Sequence, residues 1–191
     1  MSDEPHTREE VRVLFTCTAN RVRSPFAEAA ARVRLHRLGA PAEVRSAGLM
    51  EEGRAAVAEM VEVGRTYGYD LSTHRSASVI AEDLDQADLV VPMTGWHVVQ
   101  LVEVLPDARP KVLTLSEWAA ATADGKGIGT WSPVEVRAWA ATVVGARRVD
   151  SLLSGAFDID DPIGGPRRAY RRAGQQIDDA LGACLDVLSA R

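Results

Sequence analysis

The chain has 191 residues, 46% of them hydrophobic and 26% charged, with a formal net charge of -5 at pH 7. That length and apolar content suit one α/β domain with an ample core, and the mildly acidic balance lacks the basic footprint of a nucleic-acid binder. No apolar run approaches the length of a membrane span, so neither nucleic acid nor membrane is expected as a partner. Residues 1–10, polar and acidic and unlike a signal peptide, read as a short disordered tail ahead of a single domain over residues 11–191. The two cysteines, Cys17 and Cys184, make no disulfide framework, which makes the reducing cytoplasm the expected compartment.

Residues 11–17 read as a buried strand running into Cys17-Thr-Ala-Asn20-Arg-Val-Arg23-Ser24-Pro25, a loop that opens a helix. Pro25 suits a first helical turn, and good helix formers follow it. The spacing carries chemistry. Five residues between Cys17 and Arg23 can bend so that the N–H groups of Thr18, Ala19, Asn20, Arg21 and Val22 encircle the oxygens of a phosphate. The same field favours the Cys17 thiolate over the thiol. The planar guanidinium of Arg23 can grip two phosphate oxygens, and the Ser24 hydroxyl can donate to the thiolate. Asn20 tolerates the positive φ that so tight a loop demands.

Beyond the first helix, residues 42–48 read as a second strand and 55–63 as a helix; residues 88–93 read as a third strand and 96–105 as another helix. Residues 111–115 read as a fourth strand. This alternation predicts a doubly wound, open, parallel four-stranded sheet with helices on both faces, with the Cys17 loop at the carboxyl end of the first strand. Residues 119–154 read as a decorated connection with a flexible glycine-containing loop and one amphipathic helix over 134–144. Its Trp131 and Trp139, with the preceding Trp118, are core or docking anchors before they are walls of a site. Near the end, Asp158-Ile-Asp160-Asp161-Pro162-Ile-Gly164-Gly165 is an acidic, stiff loop before a terminal helix whose apolar stripe includes Cys184. If it folds over the Cys17 loop, one of its carboxyls can protonate a leaving oxygen and then activate water.

Taken together, the loop Cys-x5-Arg-Ser-Pro and the late Asp161-Pro162 resemble the low-molecular-weight protein tyrosine phosphatases. Ser46-Ala-Gly48, the run from Asp70 to Ser76, the run from Ala87 to Thr94, and Asp161-Pro162-x-Gly-Gly165 resemble the family's other signatures, leaving residues 119–154 as a family-atypical insert. The resemblance implies a cysteine-dependent phosphomonoester hydrolase working through a phosphocysteine. Cys17 would be its nucleophile, Arg23 its clamp and Asp161 its general acid and base. Thr18, Ala19, Asn20, Arg21, Val22 and Ser24 would bind substrate, and Asn20, Ser24, Ser46 and His74 would form the network shaping the loop. No metal or cofactor is implied, and the partner is a phosphorylated protein, phosphotyrosine first, or a small phosphate ester. The aromatic walls of phosphotyrosine-directed members are replaced here by Ile163 and by Leu49 and Met50.

Other readings of the same loop are a phosphoarginine phosphatase, a metabolite phosphatase, an arsenate reductase and a non-catalytic phosphate binder. The phosphoarginine-directed subfamily resembles this one with Thr in place of Arg21, which argues against that assignment. An arsenate reductase needs further cysteines near the site, where Cys184 is poorly placed.

Overall fold

A computed structural model of the protein describes residues 10–50 and 52–190. Apart from Glu10, the expected N-terminal tail lies outside the described residues. β1 (Val11–Cys17) is buried at all positions but Arg12, as its continuous apolar character demands of a central parallel strand. It pairs in parallel with β2 (Ala42–Gly48), Cys17 opposite Gly48, and with β3 (Leu89–Pro92), Val13 opposite Leu89. The helices are α1 (Arg23–Arg37), α2 (Ala58–Tyr67), α3 (Ala81–Gln86), α4 (Gly95–Val104), α5 (Leu115–Ala123), α6 (Pro133–Gly145), α7 (Val149–Leu153) and α8 (Arg167–Leu185).

Alternation along the strands divides the core in two. Val13, Phe15, Leu89 and Val91 pack with Phe26 of α1, Trp118 of α5, and Ile177 and Leu181 of α8. Leu14 and Val90 point the other way, onto Leu84 of α3 and Val98 and Leu101 of α4. Helices therefore cover both faces. α8 runs alongside α1, the two tied by Arg34 to Asp178 at 2.9 Å, and both begin at the edge where β1 ends. Among the described residues no helix is long and apolar enough to cross a membrane.

Among the described residues the sheet has three strands in the order β2-β1-β3, not the four expected. Residues 111–115 contribute a single parallel bridge, Val112 to Val90, with Leu113 N–H donating to Val90 O at 3.1 Å. Two helices compete for the rest of the segment. A 3-10 helix, Pro106–Lys111, takes its first residue, while Thr114 and Glu117 form a capping box that commits Leu115 to α5. Too few residues remain between them to form a strand.

Residues 119–154 are bound closely to this frame. Residues 119–123 complete α5, and Trp118, 1% exposed, packs tilted against Trp139 of α6 at 5.9 Å between ring centroids. The Trp139 indole N–H donates to Lys126 O at 2.6 Å, and that of Trp131 donates to Pro41 O at 3.1 Å. Pro41 precedes β2 at the end remote from Cys17, so Trp131 anchors the segment away from the loop. Beyond α6, Arg147 grips Glu117 at 2.7 and 2.9 Å with side chains 9% and 7% exposed, and it also donates to Val112 O at 2.8 Å. Removing one partner of such a pair strands the other charge away from water. Arg147→Ala is therefore expected to lower the unfolding free energy by about 3 kcal/mol or more, measured by urea denaturation.

Candidate active site

The loop over residues 18–22 leaves β1 and enters α1 with a change of direction at Asn20, the one described non-glycine residue with positive φ, at 50°. Its buried side chain is fully used. Nδ2 donates to Ser24 Oγ at 2.9 Å and Ser46 Oγ at 2.8 Å, while Oδ1 accepts from Ala77 N–H at 2.9 Å. His74 Nε2 lies 2.7 Å from Asn20 O, and Ser46 donates onward to Glu28. The structure thus brings Asn20, Ser24, Ser46 and His74 together through hydrogen bonds, which Glu28 and Ala77 N–H join although the sequence did not suggest them. Behind it, Gly48 is required by close approach, because a Cβ there would stand 2.8 Å from Asn20 N and 2.9 Å from Thr18 O.

Cys17 is 3% exposed, and its Sγ lies 3.0 Å from Ser24 Oγ. α1 begins beside it with no side-chain cap and no acid in its first turn, leaving its orphan N–H groups open to an anion. Among the described residues no group accepts a hydrogen bond from the N–H of Ala19, Asn20 or Arg21. Val22 turns its side chain into the core at 3% exposure, so only its backbone is available to the loop. Arg21 turns outward, its Nε donating to Ala55 O at 2.9 Å.

Arg23, also 3% exposed, joins this loop to the acidic stretch. Nη1 donates to Ile159 O at 2.8 Å, and Nη2 donates to Asp161 Oδ2 at 2.6 Å and Thr18 Oγ1 at 3.3 Å. Its buried Nε has no partner among the described residues. The three acids separate by direction. Asp161 meets Arg23, Asp160 pairs outward with Arg172 at 2.7 Å, and Asp158 accepts from Gly95 N–H at 2.7 Å. Ile163 and Met50, which stand where aromatic walls were sought, are 48% and 53% exposed.

His97 is the principal residue that sequence reasoning missed. Buried on α4, it places Nε2 3.0 Å from Thr18 Oγ1 and Nδ1 2.5 Å from Thr94 Oγ1. Burial, and secondarily the charge of Arg23, lowers its pKa to about 4. It is therefore neutral at pH 7 and adds no charge beside the loop. Cys184, by contrast, is packed in the core at 1% exposure, where burial raises its thiol pKa. Among the described residues no cluster of His, Cys, Asp and Glu could hold a metal ion.

A family model for low molecular weight phosphotyrosine protein phosphatases matches residues 12–128, and the chain belongs to that family of hydrolases. The acid loop lies beyond the matched span, but similarity to individual proteins reaches it. A protein-arginine-phosphatase of Geobacillus stearothermophilus is 31% identical over 179 residues, covering 93% of this chain and 95% of the relative. A low molecular weight protein tyrosine phosphatase from T. tengcongensis has a similar structure, with a TM-score of 0.70, 30% identity, and coverage of 93% and 99% of the two chains. A YwlE arginine phosphatase mutant with a phosphorylated active-site serine in place of cysteine gives a TM-score of 0.71 at 25% identity, covering 93% of this chain and 95% of that one.

The depressed pKa of His97 makes a prediction about acid. Its folded value of about 4 lies below the ordinary 6.5, so its contribution to stability is complete above pH 6.5 and is lost as pH falls towards 4. Relative to His97→Gln, the native protein should lose on the order of 3 kcal/mol over that window, as read by urea denaturation at a series of pH values.

Proposed function

We propose that the protein is a cysteine-dependent phosphomonoesterase acting on phosphotyrosine in protein substrates through a phosphocysteine intermediate. The observation that carries this reading is Arg23: a buried guanidinium with an unpartnered Nε, at the start of an uncapped helix beside Cys17. The unpartnered Nε and the open loop N–H groups are donors beside Cys17 that suit a phosphate oxyanion. The phosphate dianion takes its place among the N–H groups of residues 18–23 and on Arg23, with phosphorus in line with Cys17 Sγ. Sulfur attacks, the bond to the phenolic oxygen breaks, and Asp161 gives that oxygen its proton. Asp161 then takes a proton from water as the water attacks the phosphocysteine, and the thiolate leaves with the Ser24 hydroxyl donating to it. The Arg23–Asp161 contact gives way as the dianion occupies the guanidinium.

The phosphorylated serine of the related arginine phosphatase mutant supports a covalent phosphoryl-enzyme at the Cys17 position. The outward pairing of Asp160 favours Asp161 as the acid. In this reading residues 11–191 act as one catalytic unit carrying an insert at 119–154, in a reducing cytoplasm where the thiol persists. A second reading, protein-arginine phosphatase, is suggested by the Geobacillus relative. Arg21 weighs against it, since a fixed cation in the loop disfavours a guanidino substrate.

Hydrolysis of p-nitrophenyl phosphate without metal and under reducing conditions tests the mechanism. Cys17→Ser should abolish turnover while phosphate still binds, Arg23→Ala should weaken both binding and rate, and Asp161→Asn should slow cleavage by about 10²–10⁴-fold. Activity retained by Cys17→Ser rejects the covalent route. Phosphotyrosine and phosphoarginine peptides compared at equal concentration decide the substrate, with the former expected to turn over faster.

A further inference from the structure

The geometry points to Asp158 as the residue that positions Asp161, with the first turn of α4 as its anchor; the inference rests on the phosphatase reading above. Asp161 belongs to neither a helix nor a strand, and its side chain is 37% exposed, yet a general acid has to be held within a few tenths of an ångström of its working place. Downstream, its own Oδ1 accepts from Ile163 N–H at 3.2 Å, and Gly164 N–H donates to Tyr170 Oη at 3.2 Å. Upstream, two bonds fix the loop to the junction of β3 and α4. Ile159 N–H donates to Met93 O at 2.9 Å, and Gly95 N–H donates to Asp158 Oδ1 at 2.7 Å.

The second bond is more than a turn satisfying itself. Gly95 is the first residue of α4, so its N–H has no partner within the helix, and an ionised carboxylate there faces the positive end of the helix dipole. α4 already has a local cap, since Thr94 Oγ1 accepts from His97 N–H at 3.2 Å. Asp158, 63 positions away, is an additional cap brought by the acid loop. A Cβ on Gly95 would stand 2.1 Å from Leu152 O, so the close packing of α7 leaves no room for a side chain here. Two residues on, His97 touches Thr18 of the Cys17 loop at 3.0 Å. One helical turn thus touches both halves of the site, and Asp158 fixes the distance from the acid to the nucleophile loop.

Asp158 touches neither Cys17 nor Arg23 and is a positioning residue. Its loss should therefore matter in proportion to how much the leaving group needs a proton. The test is kcat/KM for phenyl phosphate, a poor leaving group, against 2,4-dinitrophenyl phosphate, which departs unaided, in D158A, D158N, D161N and D158A/D161N. D158A is expected to lose about ten-fold more on phenyl phosphate than on the dinitrophenyl ester, and D158N, which keeps the acceptor, to recover most of that loss. In the D161N background D158A should add no further selective loss. Equal losses on both substrates, or a selective loss that adds to that of D161N, would show that Asp158 merely supports the fold and would overturn the inference. Melting temperatures of all four variants separate unfolding from either result. If D161N itself shows no leaving-group selectivity, or Cys17-dependent turnover is absent in the native protein, the acid assignment or the phosphatase reading falls first and this inference with it.

Discussion

A guanidinium cation at 3% exposure is the constraint on which the rest of the site depends. Arg23 cannot be taken from water alone, because an unpaired buried charge costs several kcal/mol. Its compensation comes from Ile159 O and the Asp161 carboxylate, 136 and 138 positions along the chain. Satisfying Arg23 therefore closes the acid loop over the mouth of the β1–α1 loop. The side-by-side course of α1 and α8 serves the same end, with Arg34, Asp178 and the Tyr69 hydroxyl joined at 2.9 and 2.6 Å.

The loop itself is held from behind, so its N–H groups can point forward. Asn20 spends its side chain on Ser24, Ser46 and Ala77, and Leu49 N–H takes up Thr18 O at 2.8 Å. Those bonds are made before any anion arrives, which is the sense in which an oxyanion site is preorganised. His97 contributes to this by remaining neutral: it bonds to Thr18 without setting a second cation against Arg23.

What the sequence disclosed was what is local. The Cys17-to-Pro25 spacing contains its own strand end, loop and helix start, and the placement of β1, loop and α1 follows from it. β2 was legible as a short extended run ending in a turn, β3 as a continuous apolar run and α6 as an amphipathic stretch. Residues 111–115 misled because Val112, Leu113 and Leu115 look like strand residues, while the competing signal, Thr114 followed three residues later by Glu117, outweighs them. Long-range pairings were not legible at all. Nothing near His97 announces Thr18, 79 positions earlier, and three aspartates in four residues carry no mark of which faces Arg23, which accepts a helix N–H and which faces Arg172. Backbone direction in the folded loop settles that.

The truncation of the sheet has a consequence at its margin. β3 is four residues long, ends in Pro92, and among the described residues meets on its outer side only the bridge at Val112, which Arg147 and the 3-10 helix hold in place. An edge so short and so quickly turned away offers another chain no row of unpaired amides to extend. Where a full fourth strand would have presented a new border to its neighbours, this molecule ends the β3 side of its sheet in helix, and on that side the ending is itself a defence against edge-to-edge aggregation.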